Sequence, residues 1–444
     1  MCGIAGEVSF RERPGDVEKM LDAIVHRGPD DSGLYTDDRT QLGFRRLAIV
    51  DLSAAGHQPM TNESETLWLV FNGEVYNYRA LTAELQALGH QFRSQTDSEV
   101  VLHAYEQWGI ACVRRFNGMF AFALWDTQRR RLFAARDRFG VKPFYVARTP
   151  QGGLLFASEI KALFRHPRAP RPAPHDDRLF DFLVDGRLDH TNTTCLAGVD
   201  QLPASHTRTV TEGHNDFQRY WDLPDGPPQP WRTPDERALR RLTDEFAHLL
   251  EDSIRLRLHA DVPVGSCLSG GLDSSAIVSM ANRLLFSDET DVPWHARGDR
   301  QKTFSACYDD LRHDERAYIE QVVAATGADA HYTFPGESDI AQAVIPRVVW
   351  HQDEPFGSTS IVAQWHVMAA AHQRGIKVML DGQGADELLG GYHGFFGPAL
   401  VDELLSGNPA QFLRNALLYR RNHHPSFNHV ARSMAYGLLP PGSP

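Results

Sequence analysis

The sequence predicts two domains of different classes, an α+β domain followed by an α/β domain. The chain has 444 residues, which is too long for a single ordinary hydrophobic core. The proline-rich run from Leu223 to Pro234 can hold neither a helix nor a strand ladder. Short strand-like runs dominate before it, and strands alternate with helices after it. We therefore expect domains at residues 1–222 and 236–444, joined by a linker at 223–235.

The first domain is expected to contain antiparallel sheet, because runs of strand length outnumber the helical patterns. The strands are predicted at Thr66–Phe71, Met119–Trp125, Arg131–Ala135 and Leu154–Ala157. The helices are predicted at Tyr78–Leu88 and Ser98–Trp108.

The second domain is expected to contain a parallel sheet covered on both faces, because strands and helices alternate. The strands are predicted at Val262–Leu268, Thr303–Cys307, His331–Phe334 and Val378–Leu380. The helices are predicted at Ser274–Leu285, His313–Thr326, Ile340–Trp350 and Ser360–Arg374.

Composition indicates a soluble globular enzyme, with 42% hydrophobic and 23% charged residues. The net charge of −12 argues against nucleic acid as a partner, since such a surface needs a basic face. Neither a bilayer-spanning apolar run nor a leader is evident, so we expect a cytoplasmic protein without membrane contact. The five scattered cysteines predict reduced thiols. The isolated histidines, among them His90 and His103, are predicted to be packing or surface residues.

Cys2 is the strongest candidate for a catalytic group. If the initiator methionine is removed, this one residue carries both a thiol nucleophile and an α-amine that titrates at about pH 7.7–8.0. An incidental or buried cysteine is the alternative.

Three further segments could complete an acyl-transfer site. Asn72 and Gly73 follow an apolar run, and a side-chain amide with a backbone N–H is a workable oxyanion hole. An Asn-Gly pair by itself is more often a hairpin turn. Arg46 and Asp97 could clamp the carboxylate and ammonium of an amino-acid substrate, or be a surface arginine and a helix N-cap.

These residues belong to a series of segments that resembles the class II glutamine amidotransferase domain, an N-terminal-nucleophile hydrolase built as an αββα sandwich. The segments are Met1–Gly6, His26–Asp30, Arg46–Val50, Asn72–Asn77, Thr96–Glu99, Asn117–Phe122, Arg136–Tyr145 and Ser158–Lys161. The series is similar to that of glutamine-hydrolysing asparagine synthetases. In that family, glutaminase domains often form dimers, which leaves a homodimer open.

The resemblance implies roles for the residues in these segments. Cys2 would attack the glutamine amide, while Asn72 and Gly73 stabilise the tetrahedral oxyanion. Glu74 with Asp97 would bind the substrate ammonium. Arg46 would bind the substrate carboxylate. The rest of glutamine would contact the segment that begins at this residue, which consists of Arg46, Leu47, Ala48, Ile49 and Val50.

A glycine- and serine-rich segment in the second domain lies where a predicted strand ends and a helix begins. Backbone N–H groups at such a turn can surround a phosphate, and the helix dipole favours its charge. The segment lacks the Gly-Lys-Ser/Thr ending of a Walker loop, and a plain turn is the alternative. It consists of Leu268, Ser269, Gly270, Gly271, Leu272, Asp273 and Ser274, followed by Ser275.

This loop resembles the pyrophosphate loop of ATP pyrophosphatases, and Asp381–Tyr392 resembles the partner segment of that family. The resemblance implies ATP as a substrate, cleaved between its α- and β-phosphates to give an acyl-adenylate. Asp273 and Asp386 would hold Mg²⁺, which prefers hard oxygen ligands. The nucleotide pocket would be lined by Leu268, Ala306, Asp381 and Gly382.

Glu354 matches the acidic residue that the family uses during adenylation and ammonia attack, with a solvated helix-end carboxylate as the alternative. A lysine ahead of a Glu-Ala-Arg-Val-Pro-Phe pattern, found in full-length members, does not appear before Pro444, so a truncated second domain is expected.

Glutamine, aspartate and ATP are the substrates of the leading hypothesis, a glutamine-hydrolysing asparagine synthetase. One alternative is an amidotransferase for another carboxylate, on a peptide, a sugar or a secondary metabolite. The other is a glutaminase without ligation.

Overall fold

The computed structural model describes residues 1–224, 235–287, 292–310, 314–336, 344–407, 409–423 and 434–435. Most of the predicted linker, 225–234, and the chain end from 436 lie outside these residues, as do the predicted starts of two helices at His313 and Ile340. Within the described residues, no helix is long and apolar enough to cross a membrane.

The first domain contains two six-stranded antiparallel sheets. The first sheet has the order β10-β8-β9-β1-β3-β2 and the second has the order β12-β11-β7-β6-β5-β4. The strands are β1 (Gly3–Val8), β2 (Asp31–Thr36), β3 (Thr40–Arg46), β4 (Met60–Thr61), β5 (Leu67–Val75), β6 (Gly118–Asp126), β7 (Arg131–Arg136), β8 (Tyr145–Arg148), β9 (Leu154–Ala157), β10 (Val199–Gln201), β11 (His206–Val210) and β12 (Asn215–Arg219).

Helices cover the outer faces of both sheets, so three apolar cores separate four layers. The helices are α1 (Glu18–Asp22), α2 (Tyr78–Ala87), α3 (Asp97–Trp108), α4 (Ile160–Leu163) and α5 (Asp176–Asp185). One core lies between α1, α4 and the first sheet, one between the sheets, and one between the second sheet and α2 and α3. The strands are therefore buried on both faces, and the predicted αββα sandwich is confirmed.

The second domain contains a four-stranded parallel sheet in the order β15-β14-β13-β16. Its strands are β13 (Val264–Cys267), β14 (Lys302–Ala306), β15 (Asp329–Thr333) and β16 (Val378–Leu380). Its helices are α6 (Glu236–Arg257), α7 (Leu272–Phe286), α8 (Trp294–Arg297), α9 (Arg316–Thr326), α10 (Ile345–Gln352), α11 (Ser360–Gln373), α12 (Ala385–Leu389), α13 (Phe396–Leu405) and α14 (Pro409–His423). Separate cores join the sheet to α6–α9 and to α11, which confirms the predicted α/β class.

The two domains meet through polar contacts that surround the candidate site. Lys377 Nζ lies 2.7 Å from Asp30 Oδ2, and Asp261 Oδ2 accepts a 2.7 Å hydrogen bond from the backbone N–H of Asp51. The Arg257 guanidinium lies 4.3 Å from the centre of the Tyr76 ring. The face of the first domain that carries Cys2 is thereby turned toward the second domain.

Candidate active site

Cys2 immediately precedes β1, and the pairing of Gly3 with Arg45 places it beside the chain that leaves β3. The thiol donates to Leu47 O at 3.6 Å, and the Leu47 N–H donates to Cys2 Sγ at 3.4 Å. Burial raises the pKa of the thiol, an effect that the Leu47 backbone hydrogen bond partly offsets. A nucleophilic Cys2 therefore needs a base or a nearby cation to form its thiolate.

Buried cationic groups lie next to Cys2. Arg27 Nε donates to Cys2 O at 2.9 Å. Lys142 and Cys2 both line a cavity that extends between the two domains. Burial, reinforced by the charge of Arg27, lowers the pKa of Lys142 to about 8 and that of the Met1 α-amine to about 5. Amines at this position therefore release their protons more easily than in water, as a general base requires. Removal of Met1, which would give this role to the Cys2 nitrogen, stays a prediction.

Asn72 and Gly73 lie inside β5, where they pair with Ala121 and Phe120 of β6, so the hairpin alternative is wrong. Only glycine fits at position 73, since a Cβ atom would lie 2.4 Å from Met119 O. Asn72 is 1% exposed, and neither its Nδ2 nor its Oδ1 has a hydrogen-bond partner among the residues that the structure describes. Buried amides are rarely left unpaired, so this group is available to an oxyanion beside Cys2.

A small pocket, which we call the side pocket, opens next to the thiol and brings together Cys2, Arg46, Glu74 and Asp97. Arg46 is 7% exposed, so the alternative of a surface arginine is wrong. Its Nη1 donates to Ser53 O at 2.7 Å, which fixes the guanidinium in the pocket wall. The predicted segment contributes Arg46, Leu47, Ile49 and Val50 to this pocket, while the Ala48 N–H donates to Asp30 Oδ2 at 2.8 Å.

Glu74 and Asp97 form a buried acidic pair in the side pocket. Thr96 is the N-cap of α3, because its side chain accepts from the Glu99 N–H; the predicted cap role of Asp97 is wrong. Asp97 instead accepts a 2.7 Å hydrogen bond from the Val75 N–H. Burial raises the pKa of both carboxyls, that of Asp97 to about 7, and the neighbouring Asp97 charge raises that of Glu74 further. The pair therefore resists losing both of its protons, and a substrate ammonium would favour its ionised form.

The glycine- and serine-rich segment connects β13 to α7, as predicted. Inside the loop, Ser274 Oγ accepts from the Ser269 N–H at 3.2 Å and lies 3.1 Å from Ser269 Oγ. Leu268 is 1% exposed and anchors the loop in the core. The side chain of Leu272, at the first turn of α7, is exposed. The loop thus presents a helix N-terminus at the sheet edge.

The segment Asp381–Tyr392 follows β16 and begins at the same edge of the parallel sheet as the glycine- and serine-rich loop. β13 pairs in parallel with β14 on one side and β16 on the other, so the carboxyl ends of all three strands adjoin. Gly382 packs against Asp273, since a Cβ atom on Gly382 would lie 3.4 Å from Asp273 Cβ. Ala306 ends β14, and the Gly382 N–H donates to Asp381 Oδ1 at 2.7 Å. Carboxyl strand ends at a switch in strand order are where α/β sheets bind ligands.

Asp273 and Asp386 fit a Mg²⁺ ion by the chemistry of their oxygen atoms. Each lies in the first turn of a helix that follows a strand of the same sheet. The Asp386 carboxylate lies against Gly391, where a Cβ atom would be 1.9 Å from Asp386 Oδ1. Two carboxylates leave the remaining ligand positions of the ion to phosphate and water oxygens.

Glu354 lies just beyond the end of α10 and contacts the first domain. Its Oε1 accepts a 2.8 Å hydrogen bond from the Cys195 N–H, so the alternative of a freely solvated carboxylate is wrong. Burial raises its pKa. It lines a cavity of about 240 Å³ together with Arg178 and Asp189, and the predicted phosphate loop is absent from the walls of this cavity.

A cavity of about 700 Å³ extends between the two domains. Cys2, Asn72 and Lys142 line its wall in the first domain, and Met368 and Asp381 line its wall in the second. The cavity therefore reaches from the thiol to a residue of the predicted nucleotide pocket.

Arg27 and Lys142 are site residues that the sequence reasoning did not assign. Both lie inside segments that carried the family resemblance, where charged residues in apolar surroundings could have indicated them. Glu159 accepts from Arg27 Nη1 at 2.9 Å and pairs with Lys161, which in turn lies 3.1 Å from Asp353 Oδ1 of the second domain. The thiol site is thus joined to the end of α10.

Two protein-family profiles match the chain, a glutamine amidotransferase domain over residues 1–221 and asparagine synthase over residues 245–438. Asparagine synthetase [glutamine-hydrolyzing] 3 of Bacillus subtilis is 34% identical over 409 residues, 89% of this chain and 64% of that protein. Putative asparagine synthetase [glutamine-hydrolyzing] 2 of Methanocaldococcus jannaschii is 32% identical over 88% of this chain and 76% of that protein. Amidase chry2 of Gibberella zeae is 32% identical over 90% of this chain and 61% of that protein.

The chain spans between 53 and 64% of the length of the three Bacillus subtilis synthetases that it matches. The two profiles follow each other along the chain in the same order as the two domains of the fold. This chain belongs to the glutamine-hydrolysing asparagine synthetase family.

Proposed function

We propose that this protein transfers the amide nitrogen of glutamine to aspartate at the expense of ATP, giving asparagine, AMP and pyrophosphate. Residues 1–222 hydrolyse glutamine, and residues 236–444 form the aspartyl-adenylate that ammonia then attacks. The observation that carries the proposal is the cavity of about 700 Å³ that runs from Cys2 to Asp381. Ammonia is mostly protonated in neutral water, so a protected route between two sites keeps it reactive.

In the first domain, the Cys2 thiolate attacks the glutamine amide carbon, and the carbonyl oxygen becomes an oxyanion. The unpaired Asn72 amide and the Gly73 N–H receive this charge. Arg46 binds the substrate carboxylate, and Glu74 with Asp97 exchanges its shared proton for the substrate ammonium. Ammonia leaves, and water hydrolyses the thioester to glutamate.

In the second domain, the loop from Leu268 to Ser274 binds the phosphates of ATP through backbone N–H groups at the start of α7. Asp273 and Asp386 would hold Mg²⁺, which neutralises charge on the pyrophosphate when bound. Ala306, Asp381 and Gly382 form the nucleotide wall. We retain Glu354 as a candidate for the adenylation step, since its raised pKa suits proton transfer.

The central experiment compares glutamine with ammonium as the nitrogen source. Cys2→Ala is expected to abolish glutamine-dependent asparagine formation and to leave ammonium-dependent formation within about twofold of wild type, because the nucleophile is needed only for the first reaction. Cys112→Ala is the matched control, since Cys112 is a free and buried cysteine of the helical core. Equal loss of both activities would contradict two separate sites.

Pyrophosphate release measured with and without aspartate identifies the acceptor. Release that requires aspartate supports the proposed reaction. Release that requires another carboxylate would replace aspartate as the acceptor, and glutamate formation without any pyrophosphate would reduce the protein to a glutaminase.

A further inference from the structure

Two histidines and a glutamate converge on the outer side of the first domain, away from Cys2. His90 follows α2, while His103 and Glu106 lie on adjacent turns of α3. Their ligand atoms are His90 Nδ1, His103 Nδ1 and Glu106 Oε2. Among the residues that the structure describes, this is the group in which at least three histidine, cysteine or carboxylate side chains bring their ligand atoms within 4.8 Å of one another.

The three atoms form a triangle of the size that a tetrahedral metal site requires. The two Nδ1 atoms are 3.2 Å apart, His103 Nδ1 is 2.8 Å from Glu106 Oε2, and His90 Nδ1 is 3.6 Å from the same oxygen. With zinc–ligand bonds of about 2.0–2.1 Å, neighbouring ligands of a tetrahedral zinc lie about 3.3–3.4 Å apart. The three distances fall on both sides of this value.

Neighbouring groups orient two of the three ligands, His90 and Glu106. Gln107 Oε1 lies 3.0 Å from His90 Nε2, which places the His90 proton on that nitrogen and leaves Nδ1 free to bind. Asn62 Nδ2 donates to Glu106 Oε1 at 2.6 Å. Such outer partners are typical of metal ligands.

We propose that His90, His103 and Glu106 bind a divalent transition-metal ion, with zinc as the best fit and water as the fourth ligand. Two imidazoles and one carboxylate suit zinc better than magnesium or calcium, which prefer oxygen ligands. His103 is 1% exposed and Glu106 is exposed, so the ion would be bound on one side and open to solvent on the other.

The alternative occupant of this space is a proton. A doubly protonated His103 would donate to Glu106 and would need no metal. Added zinc distinguishes the two states, because an imidazole nitrogen binds the metal only after it has lost its proton.

The site would connect the segment after α2 to α3, whose first residue, Asp97, lies in the side pocket. We expect saturating zinc to raise the unfolding temperature of the protein by a few degrees, since a ligand bound only to the folded state stabilises it. This inference does not depend on the ligase activity.

The test uses the full chain with Cys2→Ala as background, so that the reactive thiol cannot bind metal. We expect one zinc ion per chain by calorimetry, and a tetrahedral cobalt(II) spectrum without a thiolate charge-transfer band. His90→Ala and Glu106→Gln are each expected to weaken zinc binding at least tenfold. Both side chains are only partly buried, so folded variants are expected, and circular dichroism checks this.

His57→Ala is the matched control, since His57 Nδ1 pairs with Asp31 Oδ2 at 2.7 Å and belongs to no three-ligand group of the described residues. It is expected to bind zinc like the parent protein. Absence of stoichiometric binding, or binding that survives both His90→Ala and Glu106→Gln, would overturn the proposal. The interpretation that remains would be a doubly protonated His103 that donates to Glu106.

Discussion

The buried amide of Asn72 lines the same cavity as Cys2 and has no hydrogen-bond partner among the described residues, which makes it the most direct test of oxyanion stabilisation at a single residue. Asn72→Ala is expected to lower kcat for glutamine hydrolysis by about 10²–10³, with little change in KM, because the lost donor acts mainly in the transition state. Glutamate release measures the effect. Ammonium-dependent synthesis by the same variant should be unchanged, and a wild-type kcat would refute the assignment.

The acidic pair of Glu74 and Asp97 predicts a pH dependence of glutamine binding. Without substrate, Asp97 ionises as the pH rises through about 7, and its charge then raises the pKa of Glu74 further. Ammonium binding requires the ionised pair, so KM for glutamine is expected to fall as the pH rises from 6 to 8, by up to about tenfold per unit below the pKa. A flat KM profile over this range would contradict the role of the pair.

The same pair predicts that removing the charge of Asp97 raises the thermal stability of the protein but weakens glutamine binding. The folded-state pKa of Asp97 is raised from the ordinary value of 3.8 to about 7, so the stability associated with its proton is complete only below pH 3.8 and is lost progressively until the pH passes about 7. Asp97→Asn keeps an acceptor for the Val75 N–H and removes the charge. Without substrate, it is expected to unfold at a higher temperature than wild type at pH 8, and this difference is expected to be smaller at pH 5.

In the presence of substrate, Asp97→Asn should raise KM for glutamine by about 30-fold or more, since a buried charge partner is lost. Thermal melts at the two pH values and glutamine titrations measure the two effects. A variant that is less stable than wild type at pH 8 would argue against a raised pKa.

At the scale of elements, the position of the Asp386 carboxylate on the helix after β16 depends on Gly391. A Cβ atom at Gly391 would lie 1.9 Å from Asp386 Oδ1, closer than atoms can approach, so Gly391→Ala must displace that carboxylate. We expect pyrophosphate release to fall at least about tenfold, which corresponds to about 1.4 kcal/mol, while glutamine hydrolysis is retained.

Gly394→Ala is the matched control for Gly391→Ala, because a Cβ atom at Gly394 would have no neighbour within 4 Å among the described residues. It is expected to behave like wild type. Equal effects of the two substitutions would contradict a role of Asp386 in the ATP reaction.

At the scale of the whole molecule, the cavity between the domains predicts that the two reactions can be uncoupled. Met368 on α11 lines this cavity, and Met368→Trp would add side-chain volume inside it. We expect glutamine hydrolysis and ammonium-dependent synthesis to persist, while glutamine-dependent synthesis falls and free ammonia accumulates. Ammonia and asparagine are measured in the same reaction. Unchanged coupling would argue against this cavity as the route.

The sequence predicted the secondary structure closely where the signal is local. Leu154–Ala157 and Val378–Leu380 coincide with β9 and β16, because short apolar runs between turns define strands by themselves. The predicted strand Thr66–Phe71 in fact continues to Val75. Asn72 and Gly73 have turn-like identities, but pairing with β6, which is distant in sequence, keeps them in the strand.

The sequence by itself determined the two fold classes, the candidate nucleophile Cys2 and the candidate phosphate-binding loop at Leu268–Ser274, because periodicity and short motifs are local properties. Only the tertiary structure decided which side chains share a pocket. Glu74 meets Asp97, Glu354 meets Cys195, and the cavity joins both domains through contacts between residues that are distant in sequence. Burial and electric charge act through space, so these pKa shifts and pairings arise only once the chain has folded.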